Sequence, residues 1–265
     1  LYLIGTSIGA FRMAGFCQKD PIAAIDILER EYIAQSYKLK PTKQEITRET
    51  QRILNAYIDD RQIETLLHHP FMKISFLSNK CRGVLKSERQ WLQLLGIGMA
   101  AGANLISRNW LGCFFERALF CGPGTPPPFT GMNQFPIQRF NLTPSNFKRA
   151  LISSGSIPIV MEGVSDIDGV QGYFRDGGIL DYHLDIPFLP DDDGLVLYPH
   201  FYETITPGWF DKSLNRNPSG RNMENVVLVA PSDKFVSALP MGKIPDRKDF
   251  YAFRGRDKER QDYWR

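Results

Sequence analysis

Leu1-Tyr2-Leu3-Ile4-Gly5-Thr6-Ser7-Ile8-Gly9-Ala10-Phe11-Arg12-Met13-Ala14-Gly15 is the stretch that decides how the remaining chain is read. Leu1 to Ile4 is an apolar run of the kind that forms a buried strand, and Ala10 to Gln18 reads as a helix. Between them Gly5-Thr6-Ser7-Ile8-Gly9 fits G-x-S-x-G, a sharp strand-to-helix turn that lifts a serine hydroxyl above the sheet edge. Gly5 and Gly9 are expected to leave room where strand and helix nearly touch. Ser7 would sit at the positive end of the helix, where the Ile8 N–H can face a developing oxyanion. The competing reading is a Gly-Ser turn that opens an ordinary helix.

The composition bounds the rest. A chain of 265 residues with 43% apolar and 23% charged residues has ample length for a core and is not that of a disordered protein. A net charge of +3 gives no support to nucleic-acid binding and does not oppose contact with an anionic membrane surface. Cys17, Cys81, Cys113 and Cys121 lack C-x-x-C spacing, so neither a zinc site nor a disulfide framework is expected. A reducing, cytoplasmic compartment follows, with membrane association as a second reading. The adjacent His68 and His69 point in different directions on a helix and are not expected to share a metal. The chain opens in mid-strand, so Leu1 is read as an internal residue of a longer protein.

Asp20-Pro21 is an N-cap and N1 pair opening a helix to about Gln35. Thr42 and Glu45 have capping-box spacing at the start of a helix that runs to Leu66 and ends at His68-His69-Pro70. Phe71 to Leu77 alternates as a strand, and Ser87 and Gln90 offer a second capping box before the apolar segment Trp91 to Phe120. Its uncharged part, Trp91 to Ser107, is at the lower limit of length for a membrane span and holds Gln93 and Asn104, so a buried helix is expected, with a membrane-touching role as the second reading. Gly122 to Pro136 is a proline-rich loop carrying Phe129, Met132 and Phe135, either a lid or an irregular connector. Ile137 to Leu142 is a strand, and Thr143-Pro144 leads into a helix to Ser154. Leu195 to Tyr198 and Val226 to Ala230 read as buried strands, Ser232 as the cap of a helix to Leu239, and Gln261 to Arg265 as helix. No repeat or linker breaks the chain, so residues 1–265 are read as one domain.

A serine hydroxyl needs a base. Asp176 follows Tyr173-Phe174 and precedes Gly177-Gly178, which places a carboxylate at a strand end in a tight turn. The bland alternative is an Asp-Gly turn between strands. Gly5-Thr6-Ser7-Ile8-Gly9, the Ala150-to-Pro158 segment (ALISSGSIP) and Arg175-Asp176-Gly177-Gly178 occur in this order. Together they resemble the patatin-like phospholipases.

The resemblance implies a three-layer α/β/α fold with a central, mainly parallel sheet, here N-terminally incomplete. It also implies a Ser-Asp dyad: Ser7 as nucleophile, Asp176 as general base, and no metal or cofactor. The implied substrate is a carboxylic ester of a lipid, with peripheral membrane contact and no nucleic acid as partner. The family's glycine-rich oxyanion loop is expected upstream of Leu1, so Ile8 supplies the one oxyanion donor that can be nominated. Two other readings stand beside it. One is a Ser-Asp-His triad using His183 or His200, which follow Asp176 in the required order. The other is a catalytically silent lipid- or partner-binding module.

Overall fold

The computed structural model describes residues 1–124, 126–129, 131–190 and 194–265. Thr125, Thr130 and Asp191 to Asp193 lie outside the described residues, the two threonines within the proline-rich loop named above.

Strand β1 (Tyr2–Thr6) leads through Ser7 into α1 (Ile8–Phe16). Helices α2 (Pro21–Ile33), α3 (Lys43–Tyr57) and α4 (Ile63–Leu67) follow. The Asp20 carboxylate accepts from the Ala23 N–H and the Thr42 hydroxyl from the Glu45 N–H, so both N-caps form, but the capping box at Thr42 is only half made, because Glu45 Oε1 accepts the Lys38 N–H instead. The single helix expected from Thr42 to Leu66 is broken. Ile58 closes α3 in an extended conformation, and Asp59 caps a short 3-10 helix before α4. Strand β2 (Lys73–Cys81), helix α5 (Gln90–Ile106) and strand β3 (Phe115–Cys121) come next. Ser87 and Gln90 do not build a capping box, because Arg89 occupies the N-cap position and Ser87 Oγ accepts from the Arg89 N–H instead.

Strand β4 (Ile137–Asn141), helix α6 (Phe147–Gly155) and the short β5 (Phe174–Asp176) complete the central sheet and its cover. Strands β6 (Val196–Pro199) and β7 (Val226–Val229) flank helix α7 (Gly220–Met223). Helices α8 (Asp233–Ala238), α9 (Asp249–Ala252) and α10 (Asp257–Trp264) end the chain. Ser232 caps α8 as expected, accepting from the Phe235 N–H.

The architecture is mixed α/β, a sheet with helices on its faces. Three of the five ladders among the described residues are parallel (β1–β2, β3–β4 and β6–β7), and the two antiparallel ones join β2 to β3 and to β5. Side-chain alternation along β2 and β3 separates two cores. Ile74, Phe76, Ala118 and Phe120 face α1, α3, α4 and α6. Leu77, Cys81, Phe115 and Leu119 face the opposite side, where α5, Phe129, Met132, Phe135 and residues 179–188 pack. Phe129, Met132 and Phe135 are buried there, so these three side chains of the proline-rich loop pack as those of a connector do. Strands β6 and β7 pair with each other, apart from the central sheet. They are not buried on both faces as expected, because Leu197, Val227 and Val229 are exposed.

Register along β2 positions the site. Strand β1 occupies one edge of β2 from Lys73 to Leu77, and β5 takes over the adjoining stretch from Ser78 to Lys80 in the opposite direction. The two strands therefore approach head to head, Thr6 opposite Leu77 and Asp176 opposite Ser78.

Below this junction the Arg117 guanidinium makes a two-pronged ion pair with Asp181, at 2.9 and 2.7 Å, with both side chains almost fully buried. The Thr6 hydroxyl donates to the Asp181 carbonyl at 3.0 Å, tying the end of β1 to the same residue. Removing one member strands a buried charge, which costs about 3–5 kcal/mol. Asp181→Ala is accordingly expected to lose that much in urea-induced unfolding, with Asp181→Asn losing less.

Candidate active site

Ser7 is the N-cap residue of α1, yet its side chain makes no capping hydrogen bond. Its backbone has φ 51° and ψ −131°, in a region L-residues avoid and which costs on the order of 1–3 kcal/mol. Two hydrogen bonds hold it there. The Ser7 N–H donates to Ser154 Oγ at 3.0 Å, and the Ser154 hydroxyl donates to the Leu77 carbonyl at 2.6 Å. Gly5 permits the turn, since a Cβ there would lie 2.6 Å from Ala10 N. Gly9 behaves differently from expectation. Nothing lies within 4 Å of where its Cβ would be, so this glycine relieves no contact between strand and helix.

The hydroxyl so presented donates to Asp176 Oδ2 at 2.9 Å. The other carboxylate oxygen, Oδ1, accepts the Gly178 N–H at 2.7 Å, which fixes the plane of the carboxylate. The backbone of the turn is fixed as well: the Asp176 N–H donates to the Ser156 carbonyl, and Asn79 Nδ2 donates to the carbonyls of Asp176 and Gly177. Gly177 passes so close to β2 that a Cβ would meet the Leu77 carbonyl at 2.2 Å. A Cβ on Gly178 would press on Asp176 Oδ1 at 3.0 Å. One residue upstream, the buried Arg175 anchors β5 by donating to Glu88 at 2.8 Å and to the Met161 carbonyl at 3.0 Å.

Burial raises the Asp176 carboxyl to about 6, against the hydrogen bonds from the Gly178 N–H and Ser7 and the charges of Arg247 and Lys212, which lower it. Such a group is ionised at neutral pH and accepts a proton more readily than an ordinary aspartate. Lys212 lies with its ammonium 3.7 Å from the centre of the Tyr182 ring, and burial lowers it to about 8.

Ile8 is the first residue of α1, so its N–H has no acceptor within the helix. The Ser7 N–H is already committed to Ser154. The Ile8 N–H thus stays available beside the hydroxyl.

The two histidines stand elsewhere. His183 Nδ1 accepts the Thr206 N–H at 2.7 Å, and its ring packs 4.1 Å, centre to centre, from that of His200. His200 Nδ1 accepts from the Tyr202 N–H. Neither hydrogen-bonds to Ser7 or Asp176, and burial pushes the His183 imidazole down to about 3, leaving it neutral. Among the described residues no group of three or more His, Cys, Asp or Glu side chains is arranged to hold a metal, and all four cysteines are free. The structure brings Ser7, Ile8, Asp176, Gly177 and Gly178, all nominated from sequence, to one place. The sequence pattern gave no role to Ser154, Asn79, Lys212 or Arg247, although the Ser153-to-Ser156 run is a visible cluster of small hydrogen-bonding side chains.

Compared with known proteins, the chain matches no family model, no curated protein and no solved structure.

Two outcomes follow from this geometry. Since the base form of Asp176 is lost as pH falls through about 6, kcat/KM for a soluble ester is expected to fall about tenfold per pH unit below that value. Lys212→Met removes a cation that favours the carboxylate, so it is expected to move the acid limb of the pH profile upward. His183→Ala and His200→Ala are expected to retain most esterase activity. A loss from either as large as that from Ser7→Ala would contradict a two-residue site.

Proposed function

We propose that this chain is a patatin-like serine acyl hydrolase that cleaves carboxylic esters of lipids through Ser7 and Asp176. One observation carries the reading. A serine at a helix N-cap ordinarily accepts a backbone N–H. Here Ser7 is held at positive φ, makes no cap, and gives its hydroxyl proton to a carboxylate that is almost fully buried. Strain and desolvation both cost stability and meet on one hydrogen bond, which is the pattern expected of a nucleophile and its base.

In the proposed cycle Asp176 Oδ2 takes the hydroxyl proton as Ser7 Oγ attacks the ester carbonyl carbon. The carbonyl oxygen becomes an oxyanion beside the Ile8 N–H and the N-terminus of α1. Collapse of the tetrahedral intermediate breaks the bond to the alcohol, which leaves with the proton returned by Asp176. The acyl group stays on Ser7. Water then gives its proton to Asp176 and its oxygen to the acyl carbon, and Ser7 leaves reprotonated with release of the acid. No metal or cofactor enters any step. That the acyl group belongs to a lipid rests on the resemblance of the Ser7, Ala150–Pro158 and Asp176 motifs to patatin-like phospholipases.

A fluorophosphonate probe tests the reading directly. Covalent labelling is expected at Ser7 and absent from Ser7→Ala, and Asp176→Asn is expected to slow labelling and ester hydrolysis by at least about a thousandfold. A folded wild-type protein whose Ser7 does not react would favour the silent binding module.

A further inference from the structure

We infer that the outward face of α5 docks the protein on an anionic lipid bilayer. The helix turns Gln93, Gly96, Ala100 and Asn104 inward and buries them. Trp91, Leu94, Leu95, Met99, Leu105 and Ile106 face outward, each at least half exposed, Ile106 to 71%. Between them Gly98 and Gly102 add no side chain, and the space beside both is open. From Gln90 to Ser107 there is no charged residue. The expectation of a buried helix thus holds for one side of α5 only. An outward helix face in a water-exposed protein normally carries charges, and a continuous apolar stripe on that face marks a contact surface.

The occupant is argued by elimination and by charge. Among the described residues no helix is long and apolar enough to cross a membrane. The inner face of α5 is also tied down, with Gln93 bonded to Lys43 and Ser87 and Asn104 to Asp211 and Arg216. A second copy of the chain is poorly served. The stripe offers six large apolar side chains, against the ~20–30 residues a side that a stable interface takes.

A bilayer surface needs no such extent and accepts an apolar helix lying in its plane. Trp91 and the half-exposed Trp110 stand at the two ends of the stripe, where indole rings favour the level of the head groups. Lys86 and Arg89, both exposed, lead into α5, and no carboxylate pairs with either among the described residues. The one nearby acid, Glu88, is taken by Lys43 and Arg175. The rim is therefore cationic, complementary to anionic head groups.

Sedimentation with vesicles tests this independently of the proposed chemistry. The vesicles are ether-linked phosphatidylcholine, which no esterase cleaves, with or without ether-linked phosphatidylglycerol. The full chain is expected to sediment with the anionic vesicles, and Ser7→Ala to do so equally. Leu95→Glu combined with Met99→Glu is expected to lower binding at least about tenfold while circular dichroism and hydrolysis of a soluble ester stay unchanged. Lys86→Glu with Arg89→Glu is expected to weaken binding to anionic vesicles only. The inference is overturned if the wild type stays in the supernatant, if the Leu95/Met99 variant binds as well as the wild type, or if neutral vesicles bind equally well. It is also overturned if light scattering shows a dimer that the same two substitutions dissociate.

Discussion

One edge of β2 organises the molecule. Two strands share it in opposite senses, β1 ending opposite Leu77 and β5 ending opposite Ser78. Neighbouring positions on one strand thereby bring together two residues 169 apart in the chain, Ser7 and Asp176. A strand edge is a demanding support, because each partner is held by a ladder and not by one flexible side chain. The Leu77 carbonyl is the meeting point. It accepts the Ser154 hydroxyl that holds Ser7 in its unusual conformation, and it leaves no room for a Cβ on Gly177.

Around that junction the protein spends stability in two ways. Ser7 is held where few side chains go, and Asp176 is kept from water so that its carboxyl titrates near 6. Neither is sustained locally. Interactions beneath the site supply the support: the buried Arg117–Asp181 pair, the pair of buried Arg175 with the exposed Glu88, and the stack of Phe76, Phe120 and Phe140 on the other face of the sheet. Aromatic pairs of this kind contribute about 0.5–1.5 kcal/mol each beyond simple burial, on the scale of the strain at Ser7. The buried Arg117–Asp181 pair gives direction more than net energy, because desolvating two charges offsets most of their attraction. Arg117 thereby keeps Asp181 in place, and Asp181 receives Thr6, the residue before the strained serine.

The apolar face of α5 shows how burial can divide a single helix. Its inner residues are small or amide-bearing, which lets the helix approach Leu85 closely, and a Cβ on Gly96 would meet that side chain at 2.7 Å. Its outer residues are large and apolar. An amphipathic pattern would have reported the exposed side as polar, so the sequence reads as buried throughout. The same limit applies to β6 and β7. An apolar run announces a strand, but not whether both of its faces are covered.

Local chemistry determined much of the fold from sequence alone. The caps at Asp20, Thr42 and Ser232 fix helix starts because a side-chain oxygen two or three residues from an orphan N–H needs no distant partner. The turn at Gly5-Thr6-Ser7 is equally local, since a Cβ at Gly5 collides with the first turn of the helix it precedes. Positions decided by distant partners were not legible. The break at Ile58, the extension of β2 to Cys81 and strand β3 inside an apolar segment all depend on what packs or pairs alongside. So does the burial of Phe129, Met132 and Phe135. For the site, the residue types and their order were written in the chain. The hydrogen bond from Ser7 to Asp176, the hold of Ser154 on Ser7 and the exclusion of both histidines were decided by tertiary structure. Only the register of β1 and β5 on β2 determines which hydroxyl meets which carboxylate.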